Sequence, residues 1–386
     1  HRLGPGRVQP HGPMTVPGRE VVAVVVVTYH SEPLLADLLA SLPAGLAGLE
    51  WHLTVADNGS TDGTVPTLRR LAPEATVVEM GANRGYAAGV NAAVAAARPH
   101  TAVLVLNPDV RLDPGCVPRL LDTLRRPGTG IAVPRLRDGH GRPIPSLRRE
   151  PTILRAVGDL VLGAERAGRL RALGEVVTDP RCYRRPATAD WAEGSTLLIS
   201  ADCWRACGPW EESFFLYSEE TDFALRARDA GYATRFNPDA GAVHLEGDSR
   251  RSPALWALLA RNRVRLYRRR HGPVASAGFF LAVLLREGSR AAIGRRQSRA
   301  AVRALLRPRA PALPGPAAVP DRSAQPLDHA DDAGAHAAHR TGRPQHRRAQ
   351  RLRGVVGPDA VAGLQPGAGP GGPSVAGEDP GVAEPA

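Results

Sequence analysis

The sequence predicts an α/β fold: a doubly wound, mostly parallel sheet with helices on both faces. Two observations carry this. EVVAVVVVTYH (20–30) is a continuous, mostly β-branched run, as expected of a strand covered on both faces. After it, strand-like and helix-like segments alternate as far as residue 110, and right-handed connections wind such a chain into a parallel sheet.

The elements follow in order. SEPLLADLLASLPAG (31–45) has an opening Ser, an early Pro and apolar residues at helical spacing. LTVADNGSTDGT (53–64) gives a second strand and a turn-rich loop, followed by a helix through Leu71. TVVEMGANRG (76–85) is a third strand and loop, and YAAGVNAAVAAAR (86–98) a third helix. TAVLVLNPDV (101–110) is a fourth strand that terminates on a polar tripeptide.

In such sheets ligands bind at the carboxyl ends of the strands. Thr28 and Tyr29 follow the first strand, Asp57 and Asn58 the second, Asn83 and Arg84 the third, and Asn107 and Asp109 the fourth. Any one of these loops could be turn chemistry alone; four on one edge point to a site. The chain has no GxxxxGK[ST] and no GxGxxG after the first strand. A nucleotide would then be held by side chains and a metal.

Further on, FFLYSEETDFALRARDAGY (214–232) crowds Glu219, Glu220 and Asp222 into four positions. One reading is structural: Ser218 caps a helix, the acids complement its dipole, and Asp222 pairs with Arg226. The other is catalytic.

Composition divides the chain of 386 residues. From Pro311 to Ala386 there is no aromatic residue, while Pro, Gly and Ala dominate, so residues 307–386 read as a disordered tail. Residues 1–19 read as a disordered extension, with Met14 the more natural start. Residues 20–250 form the expected catalytic domain, divided into a nucleotide-binding half (20–115) and an acceptor half (116–250), and 251–306 a basic helical segment. The net charge is +12 and every basic residue is Arg, clustered in 260–272 and 286–309. A basic end suits a partner carrying phosphates: nucleic acid, an anionic membrane face or a phosphorylated substrate. Cys116, Cys182, Cys203 and Cys207 form no CxxC pair and read as reduced cytosolic thiols. VASAGFFLAVLL (274–285) is too short to span a bilayer. It is a buried helix or an interfacial one, with burial favoured.

The chain resembles the family 2 glycosyltransferases of GT-A fold, in their rhamnosyltransferase-like branch. VVVVTYHS (24–31), VADNGSTDGT (55–64), GANRGYAAGVNAA (81–93), LNPDV (106–110), WAEGSTLLISADCW (191–204), the 214–232 stretch and NPDAGAVHLEGDS (237–249) occur in family order. The resemblance implies that Thr28 and Tyr29 line the base pocket beside Asn58, and that Asp57 accepts a hydrogen bond from the base. Arg84 would lie by the donor diphosphate or ribose, with Asn91 a further donor candidate. Asn107-Pro108-Asp109 matches the DxD-like motif, of which only the last acid remains. Asp109 and His244 would hold Mg2+ or Mn2+. Trp191, Gly194 and Ser195 match the acceptor-side wall, together with Glu219. Glu220 falls on the family's base, with Asp222 the next catalytic candidate. The GPWEE segment (208–212) departs from the family's Gly-Gly-Phe-Asp-Glu turn, which bears on the acceptor-side loop.

The resemblance thus implies a metal-dependent inverting transfer of a sugar, rhamnose from dTDP-rhamnose in this branch, with a UDP-sugar the other donor class. The acceptor would be a hydroxyl of a glycan or of a polyprenyl-diphosphate-linked sugar, met at the cytoplasmic face of a membrane by a cytoplasmic, peripherally attached enzyme. Two rivals are weaker. A nucleic-acid-binding protein fits the charge but lacks aromatic interleaving and any binding module. A sugar nucleotidyltransferase lacks its Gly-rich first loop here.

Overall fold

The valine run forms β1 (Val21–Thr28), and Val22 through Val25 are completely buried. Each such side chain contributes about 1.5–3 kcal/mol by leaving water, so this strand anchors the core. The computed structural model describes residues 20–245 and 252–307. The expected disordered segments 1–19 and 307–386 lie outside them except for Arg307.

Strand and helix alternate as expected: α1 (Glu32–Gly45), β2 (Glu50–Asp57), α2 (Thr64–Leu71), β3 (Thr76–Glu79), α3 (Tyr86–Ala96) and β4 (Ala102–Leu106). There follow β5 (Val110–Leu112), α4 (Cys116–Leu124), β6 (Thr129–Arg137), β7 (Leu147–Arg148), α5 (Ile153–Leu162) and α6 (Ala164–Gly168). Then come β8 (Ala187–Ala189), β9 (Trp191–Ala192), β10 (Thr196–Ser200), α7 (Ala201–Cys207), α8 (Glu219–Asp229) and β11 (Ala233–His244). The chain continues into α9 (Pro253–Arg270), α10 (Pro273–Ala292) and α11 (Arg296–Leu306).

The main sheet is ordered β3-β2-β1-β4-β10-β6-β11-β5, with β8 also on β11. Its first half, β3-β2-β1-β4, is parallel throughout. Beyond β4 it is mixed: β10 is antiparallel to β4 and β6, and β11 is parallel to β6. Alternate residues of β1 serve two cores. Val22, Val24 and Val26 pack with Leu35 and Leu38 of α1, Leu68 of α2 and Leu120 of α4. Val25 and Val27 pack with Val90 of α3, Cys203 of α7 and Phe223 of α8. Helices therefore cover both faces, and the carboxyl ends of β1, β2 and β4 are left at one edge.

The 274–285 run is helical, but only one side of α10 is buried. Phe279, Ala282 and Val283 pack beneath α5 and α9 residues, whereas Val274, Leu281 and Leu285 are exposed. The expectation of burial holds for half of this helix. Its amphipathic pattern, which a 12-residue apolar run conceals, is set by which side α5 and α9 cover. Among the described residues no helix is long and apolar enough to cross a membrane.

Candidate active site

The loop after β1 and the loop after β2 are bound to each other. Thr28 Oγ1 donates to Asp57 Oδ1 at 2.8 Å, and Ser60 Oγ donates to the same oxygen at 2.6 Å. Asp57 Oδ2 accepts from the backbone N–H groups of Gly59 and Ser60 at 3.1 and 2.8 Å. A carboxylate has about four acceptor positions, and all four are taken. Thr28 and Asp57 are buried, so they shape the loop and do not themselves line an open base pocket. The expected hydrogen bond from the base to Asp57 would have to take the place of one of these four. The half-buried Tyr29 remains at the edge. Asn58 donates from Nδ2 to Gly85 O at 3.0 Å and steadies the next loop, where Arg84 is exposed.

Asn91 is bound to the loop after α7. Its Nδ2 donates to Trp210 O and to Glu212 Oε1, each at 2.9 Å, and its Oδ1 accepts from Trp210 N at 2.8 Å. The amide fastens α3 to the GPWEE segment.

Asp109 and His244 are brought together by strand pairing. β5 runs antiparallel to the end of β11 with Val110 opposite His244. His244 Nε2 then lies 3.4 Å from Asp109 Oδ1, both side chains being buried. The other ring nitrogen, Nδ1, lies 2.9 Å from Glu193 Oε1. Burial pulls the His244 pKa down, but the contacts with Asp109 and Glu193 outweigh it and hold it at about 10. Glu193 is kept below the usual carboxylate range, against the effect of burial, chiefly by His244. Sequence reasoning quoted WAEGST without singling out Glu193, because nothing local to that segment announces its neighbour on β11.

A second group lies against this one. Tyr86, the first residue of α3, donates its hydroxyl to Asn107 Oδ1 at 2.7 Å, and Asn107 N donates to Ser195 O at 2.9 Å. The Tyr86 pKa is raised well above its usual value, first by burial and then by Glu219, Glu220, Asp109 and Glu193. These acids therefore surround one hydroxyl. Gly194 allows α8 to approach: a Cβ there would stand 3.3 Å from Glu220 Cβ. Burial pushes the half-buried Glu220 carboxyl up to about 7, with Glu193 adding to the effect. Glu219 is buried, its Oε2 lacks a hydrogen-bond partner among the described residues, and its pKa is raised by burial and then by Glu220. It is no solvated helix-end charge. The face of Trp191 is covered by the Arg148 guanidinium, 5.7 Å from the ring centroid, and its Nε1 donates to Arg149 O at 3.1 Å.

Asp222 does not join the group. Residues 220 and 222 stand about 200° apart around a helix. Glu220 faces Gly194, whereas Asp222 pairs with Arg226 at 2.8 Å and lines a separate cleft with Asn91, Trp210 and Arg269. The expected ion pair is present, and it occupies the Asp222 carboxylate on the side of the helix away from Glu220. Ser218 precedes the helix in a left-handed conformation (φ 79°) and makes no side-chain cap bond, unlike the extended N-cap expected.

The loop feeding α8 holds Phe215, Tyr217 and Ser218 at positive φ, a conformation that costs about 1–2 kcal/mol for each non-glycine residue. It is held from α9. Asn262, buried, directs Nδ2 at Phe214 O (2.7 Å), Leu216 O (2.9 Å) and Tyr217 O (3.2 Å). Asn262→Leu keeps the volume and strands these carbonyls. We expect a loss of about 1–3 kcal/mol of stability, read by chemical denaturation. A change under about 0.5 kcal/mol would show that the amide does not hold the loop.

The carboxyl edge of the sheet thus gathers Asp109, Glu193, Glu219, Glu220 and His244 around the Tyr86 hydroxyl. Residues 23–161 match the model of the glycosyl transferase family 2. An N-acetylglucosaminyl-diphospho-decaprenol L-rhamnosyltransferase of Mycobacterium tuberculosis is 34% identical over 249 residues, 61% of this chain and 80% of the relative. A low-salt glycan biosynthesis hexosyltransferase of Haloferax volcanii is 27% identical over 54% of this chain and 61% of its own length. A mannosyltransferase from Pyrobaculum calidifontis, solved with GDP-Man and Mn2+, superposes with a TM-score of 0.47 at 18% identity, over 73% of this chain and 78% of that one. The chain belongs to glycosyltransferase family 2, in the rhamnosyltransferase-like branch.

Proposed function

We propose that the enzyme transfers L-rhamnose from dTDP-rhamnose to a hydroxyl of a polyprenyl-diphosphate-linked amino sugar, with inversion at the anomeric carbon. The acceptor class and the sugar are those in the name of the mycobacterial relative. The observation that carries the chemistry is Glu220, a half-buried carboxyl pushed up to about 7 beside the Gly194 turn. A base of that pKa is largely deprotonated just above neutrality yet still takes a proton readily. The acceptor oxygen attacks the anomeric carbon as Glu220 removes its proton, and the bond from that carbon to the diphosphate breaks. The nucleoside diphosphate leaves with the bonding pair.

Asp109 and His244 would hold a divalent cation if the ion displaced the proton that Asp109 and Glu193 otherwise keep on the His244 ring, so binding would release that proton. Ligand atoms at adjacent positions of an octahedral Mg2+ or Mn2+ site lie about 3 Å apart, and His244 Nε2 and Asp109 Oδ1 are 3.4 Å apart. Among the described residues no set of three His, Cys, Asp or Glu side chains forms a cage, so the remaining ligands would have to come from the substrate and water. Bound there, the ion would offset charge gathering on the departing diphosphate. Glu193 would fix the orientation of His244 through Nδ1. Arg84 would meet the diphosphate, and Tyr29 and Asn58 would border the base. Gly194, Ser195, Trp191 and Glu219 would form the acceptor wall. Residues 20–115 would then bind donor, and 116–250 acceptor.

Titration calorimetry with dTDP and UDP, with and without Mn2+, tests the donor side. Mn2+-dependent binding of either nucleotide is expected, with dTDP the tighter. Binding that ignores Mn2+ would remove the Asp109–His244 assignment, and tighter UDP binding would overturn the donor choice.

A further inference from the structure

We propose that α5 and α10 together form a surface that docks on an anionic lipid bilayer. The two helices run side by side in the same direction. Ile153, at the start of α5, touches Gly278, and Asp159, a turn and a half later, acts electrostatically on Arg286. Their inner sides, Ala156 with Phe279 and Ala282, are buried against α9. Immediately outside the Ile153–Gly278 contact each helix turns an apolar stripe outward. On α5 it is Leu154, Val157 and Val161, at i, i+3 and i+7; on α10 it is Val274, Leu281 and Leu285, at i, i+7 and i+11. Val161 and Val274 are 70% and 87% exposed, and Ile293, just past the end of α10, is 75% exposed. Two parallel stripes of large aliphatic side chains on adjoining helices are more than the scattered apolar residues of an ordinary surface.

Charge identifies the occupant. Residues 252–307 contain thirteen arginines and one acid, Glu287, which is buried with Arg286 and Trp256. Arg263, Arg269 and Arg270 are neutralised by Glu175, Glu211 and Asp229. Arg290, Arg295 and Arg296, at the end of the stripes where Ile293 protrudes, have no acidic partner among the described residues. Aliphatic stripes bordered by unpaired arginines suit the boundary between acyl chains and acidic headgroups, and suit a second, equally basic copy of this chain poorly. Only four residues separate α5 from β7, which pairs with β9 of the proposed acceptor wall. The surface would thus hold the site beside a lipid-borne acceptor; that purpose rests on the acceptor reading above, the surface does not.

The test is sedimentation of the full chain with vesicles of phosphatidylcholine alone and with 30% phosphatidylglycerol (about a third, in keeping with strongly anionic bilayers), without donor or acceptor. Wild type should pellet with the anionic vesicles. Val161→Glu/Leu285→Glu changes only exposed positions, so its melting temperature should stay unchanged while its vesicle affinity falls by about tenfold or more. Arg295→Glu/Arg296→Glu should lower affinity for anionic vesicles by on the order of fivefold per arginine removed. The proposal is overturned if wild type stays in the supernatant, if the Val161/Leu285 variant pellets as well as wild type, or if that variant instead dissolves a dimer seen for wild type by sedimentation velocity. Transfer to an acceptor in detergent, measured separately, is unaffected by any of these results and so reports on the acceptor reading alone.

Discussion

Glu220→Gln should lower turnover by about 10² to 10⁴, the usual worth of a positioned general base, while nucleotide and metal binding persist. Glutamine keeps the shape of the side chain and its fit against Gly194 but cannot take a proton. In the wild type, kcat/KM should rise with pH and level off above a pKa of about 7, because the carboxylate is the active form; in the variant this limb should vanish. Stability gives an independent reading. The Glu220 carboxyl holds its proton more firmly in the folded state than an ordinary glutamate, which titrates at 4.5, so the folded chain binds more protons than the unfolded one across pH 4.5 to 7. Stability contributed by this group is full below about 4.5 and is lost as pH rises through 7. Melting curves at pH 5 and 8 should show the wild type falling more than Glu220→Gln. Glu219→Gln is the contrast. Burial keeps Glu219 protonated well above the ordinary range, and glutamine resembles the neutral acid, so transfer should fall by less than tenfold. Equal losses in the two variants would place the base elsewhere.

Asp109→Ala should reduce Mn2+-dependent nucleotide binding by more than about 100-fold, since even outer partners of a metal ligand are worth 10–100-fold. Glu193→Gln provides that outer comparison: His244 keeps its place opposite Val110, and Mn2+ affinity should fall within the 10–100-fold range. The melting temperature of Asp109→Ala should fall as well, because the buried His244 loses one of its two carboxylate partners, so nucleotide binding is compared well below the melting transition. Calorimetry and thermal melts decide. Unchanged Mn2+ dependence in Asp109→Ala would exclude the ion from this strand end, and an unchanged Glu193→Gln would make Glu193 a bystander.

Much of this molecule is determined by local pattern. The valine run of β1, the alternation through β4 and the polar strand ends fix the parallel half-sheet and its ligand edge, because period and turn chemistry act within a few residues of the chain. The pair Asp222–Arg226 is equally local, four residues apart on one helix. What the sequence did not decide is how side chains distant in the chain face one another. Asp57 and Asn91 looked like ligand groups at a strand end and on a helix, yet their acceptors and donors are engaged by Thr28, Ser60 and Trp210. Asp109 meets His244 only because β5 and β11 pair, and Asn262 meets the loop before α8 only because α9 crosses it. Of the crowded acids, helix rotation alone separates Glu220 from Asp222. The half-buried α10 follows the same rule: composition makes a segment apolar, and only its neighbours decide which of its sides is covered.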